Sequence, residues 1–331
     1  RFRFAPDGER SVSALRHAGI DSPHGSRARC RHRRGARRNR RRCHDDRSSA
    51  RRRSRGVNAR SVSELLSGFD VVDLGRPMFL GMPQSPNHPE FRITMPRRHG
   101  DAHRADGGSA ANDLLVTGTH VGTHVDALGH VSHCGRLHGD LDADEVQRGG
   151  RLAQKGVEEI APIVARGVLL DVAGCLGVDT LPGGHEITID ELEKTVTHKG
   201  VEPRQGDVIL VRSGWGRLWS DGAAFVGRET GVPGVSESGA RWLADIGPRA
   251  VGADTIAFEC LPAGQGHSLL PAHRVLLVER GVNIIETLDL EELARRGVSE
   301  FVFVMSPLHL IGATGSPVRP LALVDSAHNR K

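Results

Sequence analysis

Thr119-His-Val-Gly-Thr-His-Val-Asp-Ala-Leu-Gly-His130 sets two imidazoles and a carboxylate at alternating positions among β-branched residues. If Leu114–Asp126 is a strand, its period of two puts His120, His124 and Asp126 on one face and Val121, Thr123 and Val125 on the other. Two histidines and an aspartate then converge from one rigid element. That is a three-ligand set for a borderline or hard divalent ion, with positions left open for water. Gly122 suits a bend or a close backbone approach. His130 follows Gly129 just beyond the strand, near enough to reach water at the site without being a ligand. The competing reading is chance alternation of surface histidines in a chain that has 18 of them. Three metal-competent residues of one parity, followed by a fourth at a turn, outweigh it. His133 and His138 extend the cluster at irregular spacing and are assigned to solvent or to the rim.

Outward from this segment the chain is regular from Val71. Short β-branched runs bounded by glycine or charge predict strands at Asp113–Val125, Val168–Val172, Asp207–Arg212, Val282–Glu286 and Phe301–Ser306. Helix signals lie between them. Thr188-Ile-Asp-Glu191 is a capping box, Ser236 opens a segment closed by Gly247, Pro271 stands in the first turn of a helix ended by Gly281, and Asp289 begins one closed at Gly297. Strands and helices mixed in this way predict an α/β or α+β domain.

Charge divides the chain. Of 45 Lys and Arg and 40 Asp and Glu in the 331 residues, the first 60 residues hold 20 arginines, no lysine and five acids, a net +15. The other 25 basic and 35 acidic residues leave the remainder at −10. A domain of that charge meets a phosphate backbone with like sign, which argues against nucleic-acid binding outside the tail. Residues 1–60 lack apolar periodicity, and we expect them to be disordered and dispensable, with the folded domain spanning 61–331. Their Arg-rich, Lys-free composition is either that of an arm for an anionic surface or that of GC-rich DNA translated upstream of a true start; we favour the second. No apolar run reaches the roughly 18 residues needed to span a bilayer, and the five cysteines show no C-x-x-C spacing. The expectation is a cytoplasmic protein with reduced thiols and no membrane partner. Neither a G-x-S-x-G elbow, a phosphate loop nor a dinucleotide fingerprint is present.

The segment His120-Val-Gly-Thr-His-Val-Asp-(x)3-His130 resembles the signature of the cyclase-like metal hydrolases, a family that includes bacterial kynurenine formamidase and isatin hydrolase. Gly206-Asp-Val-Ile-Leu-Val-Arg-Ser-Gly-Trp-Gly216, Gly252-Ala-Asp-Thr255, Leu270-Pro-Ala-His273 running to Ile285-Glu286, and Gly312-Ala-Thr-Gly-Ser-Pro317 agree with it. The similarity covers about Val71 to Val324. It implies a single domain with a mixed β-sheet or barrel core and peripheral helices, of swivelling β/β/α type. It further implies that His120, His124 and Asp126 bind metal, Zn or Mn, one or two ions per chain, and that His130 is the catalytic base. A second ion would be held by Asp126 with a later His and Glu, best matched by His273 and Glu286, with His267 competing for the histidine role. The formamidase pattern carries proline two residues after the aspartate, where this chain has Leu128.

The implied reaction is hydrolysis of a non-peptide C–N amide bond, with N-formylkynurenine as first candidate substrate and a cyclic amide such as isatin as second. Trp215 and Arg98 are the candidate substrate contacts, against packing for the tryptophan and solvated loop charge for the arginine. The expected assembly is a homodimer or homotetramer. A reading of another class is a non-catalytic metal-binding scaffold whose Arg-rich arm contacts nucleic acid.

Overall fold

The computed structural model describes residues 67–326. The expectations for residues 1–60 lie outside them. Nine strands form one sheet: β1 (Phe69–Asp73), β2 (His124–Asp126), β3 (Ile163–Asp171), β4 (Val208–Arg212), β5 (Ala250–Ala253), β6 (Asn283–Glu286), β7 (Glu300–Met305), β8 (Gly315–Pro317) and β9 (Leu321–Asp325). Their order is β1-β9-β7-β3-β4-β5-β6-β2-β8. The central four, β3 to β6, run parallel, and the flanking pairs are antiparallel.

Parallel neighbours need crossovers long enough for a helix. Accordingly α1 (Ile189–Lys199) joins β3 to β4 and α2 (Glu237–Asp245) joins β4 to β5. Between β5 and β6 comes α3, whose first turn Pro271–His273 continues as π-helical Arg274–Arg280. Their starts and stops follow local chemistry. Thr188 and Glu191 form the reciprocal capping box, and Gly200 ends α1 at φ 63°. The Ser236 side chain accepts from Gly239 N at 3.0 Å, and Gly281 closes α3 at φ 69°. Asp289 accepts from Glu291 N ahead of Glu291–Arg295.

All five residues of β4 are buried, the near-continuous apolar run expected of a strand covered on both faces. On one face Leu170, Ile209, Val211 and Val251 pack beneath Leu192, Leu243 and Leu276 of the helices. On the other, Leu169 and Leu210 meet Val72 of β1, Val125 of β2 and Phe303 of β7. Central and outlying strands share that second core because the sheet curls into a half-barrel.

One expected strand is corrected. Asp113–Val125 is not continuous: Asn112–Val116 pairs with Arg92–Arg97 in a separate hairpin, Thr117–Thr123 is irregular, and only His124–Asp126 joins the sheet. Leu114, Leu115 and Val116 are all more than half exposed, so no buried face specifies a register through this stretch. The chain then turns at Gly122, whose φ of +69° is open to glycine at little cost. No described helix is long and apolar enough to cross a membrane.

Candidate metal centre

Strand register assembles the centre. β2 lies between β6 and β8, with Glu286 opposite His124 and Ile284 opposite Asp126. Cross-strand neighbours of this kind sit close enough for their side chains to meet. The His124 ring nitrogen Nε2 lies 3.5 Å from Asp126 Oδ1 and 3.5 Å from Glu286 Oε2. His273, at the first turn of α3, brings its Nε2 to 3.4 Å from Asp126 Oδ2 and 3.3 Å from Glu286 Oε1. All four side chains are buried.

These separations test whether a metal fits. Each is long for a charge-assisted hydrogen bond, which runs about 2.7–2.9 Å. They match the edges of a tetrahedral shell, about 3.4 Å for metal–ligand bonds of about 2.1 Å. Asp126 is 0% exposed, yet no donor among the described residues hydrogen-bonds its Oδ2. A buried carboxylate oxygen left in that state needs a cation. The second ring nitrogens are already committed: His124 Nδ1 donates to Gly122 O at 2.8 Å, and His273 Nδ1 faces Glu259 Oε1 at 2.6 Å. Both Nε2 atoms are thereby turned inward in the manner of ligand histidines. The two carboxylates each offer one oxygen to His124 and the other to His273, so the donor set suits one ion or a bridged pair.

His120 arrives by a different route from the one its parity suggested. It sits in the turn before Gly122, with Nδ1 2.7 Å from Asp126 Oδ1 and Nε2 2.9 Å from Thr314 Oγ1. Gly315 makes room for it, since a Cβ there would lie 2.5 Å from His120 Cε1. His130 follows in a turn closed by its N–H donating to Ala127 O, and its ring stacks on His120 at 3.7 Å between centroids. Donor atoms of His120, Asp126 and His130 lie within 4.8 Å of one another, as do those of His124, Asp126 and Glu286.

Burial and neighbouring charge set the protonation pattern. For Asp126, burial opposes ionisation but the imidazoles of His130 and His120 outweigh it and hold its pKa well below the usual carboxylate range. Glu286 is brought down to about 2 by His124 and His273 against the same penalty. His124 and His273 are raised despite burial, the former by Glu286 and Asp126 and the latter by Glu259 first. His130 goes the other way: burial pushes it down to about 3, more than Asp126 restores. His130 is thus a neutral imidazole at pH 7.

The centre opens into a cavity of about 210 Å³ walled by Pro83, Val131, Ile256 and Leu270 on the apolar side and by Gln84, Ser85, Asn87 and His88 on the polar side. His267 also lines it, from the 3-10 turn Gly266–Ser268, but takes no part in the buried donor ring where His273 stands. Trp215 and Arg98 do not line the cavity. Trp215 is 4% exposed in an apolar cluster with Met82 and Phe225, and its indole N–H donates to Phe225 O at 2.8 Å. A buried indole must satisfy that donor, and here the backbone does so. Arg98 is exposed in the loop of the hairpin, its backbone N–H donating to Asp101 Oδ2.

Sequence reasoning missed Glu259, Thr314 and His88. Glu259 is 1% exposed and grips His273 twice, through the ring and through the backbone N–H at 2.9 Å. Such supporting carboxylates fix ring orientation and basicity. Glu259→Gln should therefore weaken metal binding by about 10–100-fold without emptying the site at saturating metal. Titration with a competing chelator measures this, and an unchanged affinity would show that Glu259 only fills space.

Comparison with known proteins places these residues in context. The cyclase family model matches residues 72–260. Isatin hydrolase of Roseibium aggregatum is 27% identical over 275 residues, covering 80% of this chain and 96% of its own length. Kynurenine formamidase of Geobacillus thermodenitrificans is 28% identical over 217 residues, covering 66% of this chain and 82% of its own. The crystal structure of a novel cyclase superposes with a TM-score of 0.70 at 27% identity, over 78% of this chain and 90% of that one.

Proposed function

This chain belongs to the cyclase family, and on that footing we propose that it hydrolyses the C–N bond of a compact, uncharged aryl amide. The observation that carries the reading is the ring of four buried donors around the orphaned Asp126 Oδ2. His124, Asp126, His273 and Glu286 would hold a divalent ion, with His120 beside them. Mixed imidazole and carboxylate donors suit zinc or manganese. Such an ion polarises a carbonyl and lowers the pKa of water from about 15.7 towards 7.

The protein's own groups do the rest. His130 is neutral at working pH, so it accepts a proton from water and passes it to the departing nitrogen. The stacked His120 ring fixes the plane of His130, and Asp126 stabilises the imidazolium that forms. Val131, Ile256 and Leu270 keep bulk water from the reacting carbonyl.

The cavity favours the cyclic candidate over the amino-acid one. At about 210 Å³ it falls below the roughly 300–1,000 Å³ of sites that take drug-sized ligands. Among its described lining residues there is no lysine or arginine, and Glu286 is the one carboxylate. The α-amino acid end of N-formylkynurenine would meet no fixed counter-charge there, whereas isatin carries no charge to desolvate. Elemental analysis of the purified protein combined with a screen of formanilides, isatins and cyclic imides tests this. We expect about one divalent ion or more per chain, and kcat/KM for isatin at least about tenfold above that for N-formylkynurenine, the cost of one unpaired polar group. Bound metal with no hydrolysis of any amide would favour a binding protein instead.

A further inference from the structure

Three of the six imidazoles that line the cavity have both ring nitrogens accounted for; His88, His267 and His130, the last assigned above to proton transfer, do not. His120 uses Asp126 and Thr314, His124 uses Gly122 and the donor ring, and His273 uses Glu259 and the same ring. His88 is different. It lines the cavity half-buried, and no hydrogen bond from the described residues reaches its ring nitrogens. Its backbone is nevertheless pinned on both sides. The His88 N–H donates to Ser85 O at 3.2 Å, and the Gln84 amide donates to His88 O at 3.2 Å while its Oε1 accepts from Phe91 N at 3.0 Å.

The ring is held as well, near parallel to His120 at 26° with centroids 5.4 Å apart. A side chain positioned this firmly against a metal-centre histidine, with its polar atoms uncommitted in the cavity, is prepared for a ligand. His267 shares the lack of partners but directly follows turns at Gly264 and Gly266, both at positive φ, and is correspondingly less constrained.

We propose that His88 is a substrate-binding, specificity-determining residue whose ring hydrogen-bonds a second polar atom of the amide, selecting dicarbonyl substrates over those with a single carbonyl. The proposal rests on the hydrolase reading above. A site built to hydrogen-bond one substrate group discriminates against analogues that lack it, because its own polar atom is then left unpaired.

The test compares isatin, which has a second carbonyl beside the amide, with formanilide, which has none, in the metal-loaded enzyme. His88→Phe keeps an aromatic ring against His120 and removes both nitrogens; His88→Gln restores a donor and an acceptor. We expect His88→Phe to raise KM for isatin about 10–100-fold, with formanilide altered less than about threefold, metal content unchanged by elemental analysis, and partial recovery in His88→Gln. Equal losses on both substrates, losses that follow metal content, or a wild-type enzyme that hydrolyses formanilide and not isatin would overturn it. If neither compound is turned over, the hydrolase reading falls separately. Calorimetric Kd values for isatin with wild type and His88→Phe then still decide the role of His88, an unchanged Kd overturning it.

Discussion

Asp126→Ala should remove the metal and hydrolysis together. Asp126 is the hub of the centre: its Oδ1 faces His120 and His124, and its Oδ2 faces His273. Deleting it leaves Glu286 as the one carboxylate of the ring and removes an oxygen from the side of each histidine. With half of the anionic charge and the shared carboxylate gone, the remaining donors compete poorly for a divalent cation. Loss of a Lewis acid worth several kcal/mol of transition-state stabilisation implies a fall in kcat/KM of about 10³-fold or more. Asp126→Asn, nearly identical in shape, should lose metal as well, which separates lost charge from lost packing. Elemental analysis after gel filtration makes the measurement. Unchanged metal content in either variant would mean that the four-donor ring is not where the ion sits.

The central sheet was legible because burial on both faces writes a long apolar run into the chain. Val208–Arg212, its neighbour Ile163–Asp171 and, on the far side of Ala250–Ala253, Asn283–Glu286 fall within a few residues of expectation. Helix ends were legible for a local reason: the Thr188 capping box, Ser236, Pro271 and Gly281 all act within a few residues of themselves. The parity of His124 and Asp126 also held. His120 was grouped with them on a strand that does not exist there. It reaches Asp126 because a turn at Gly122 and the absence of a Cβ at Gly315 allow it, and the second condition lies 195 positions away in the chain. Glu259 and Thr314 were illegible for the same cause, since what makes them matter is a contact across the fold and not a pattern along it. Trp215 is the converse case: named as a candidate substrate contact against a packing role, it packs, with the backbone carbonyl of Phe225 satisfying its indole inside a core.

His130→Ala should leave metal content near wild type while lowering kcat by about 10²–10⁴-fold, the usual contribution of general acid–base catalysis. The prediction is sharp because His130 lies close enough to His120 and Asp126 to be mistaken for a ligand. What separates it is position and protonation. It is outside the four-donor ring, largely buried at the cavity wall, and burial keeps it neutral down to about pH 3. Asn at this position can hydrogen-bond water but cannot take its proton, so His130→Asn should be nearly as slow. The pH profile supplies an independent check with a definite sign. A base whose pKa is depressed stays competent as pH falls, whereas His124 and His273 are raised and pick up protons first, so acid displaces the metal before it silences His130. The acidic limb of kcat/KM should therefore coincide with loss of bound metal, and His130→Ala should lower the plateau without moving that limb. Metal loss in His130→Ala equal to that in His124→Ala would make His130 a ligand, and His267, a cavity histidine whose ring has no hydrogen-bond partner among the described residues, would become the first candidate for the base.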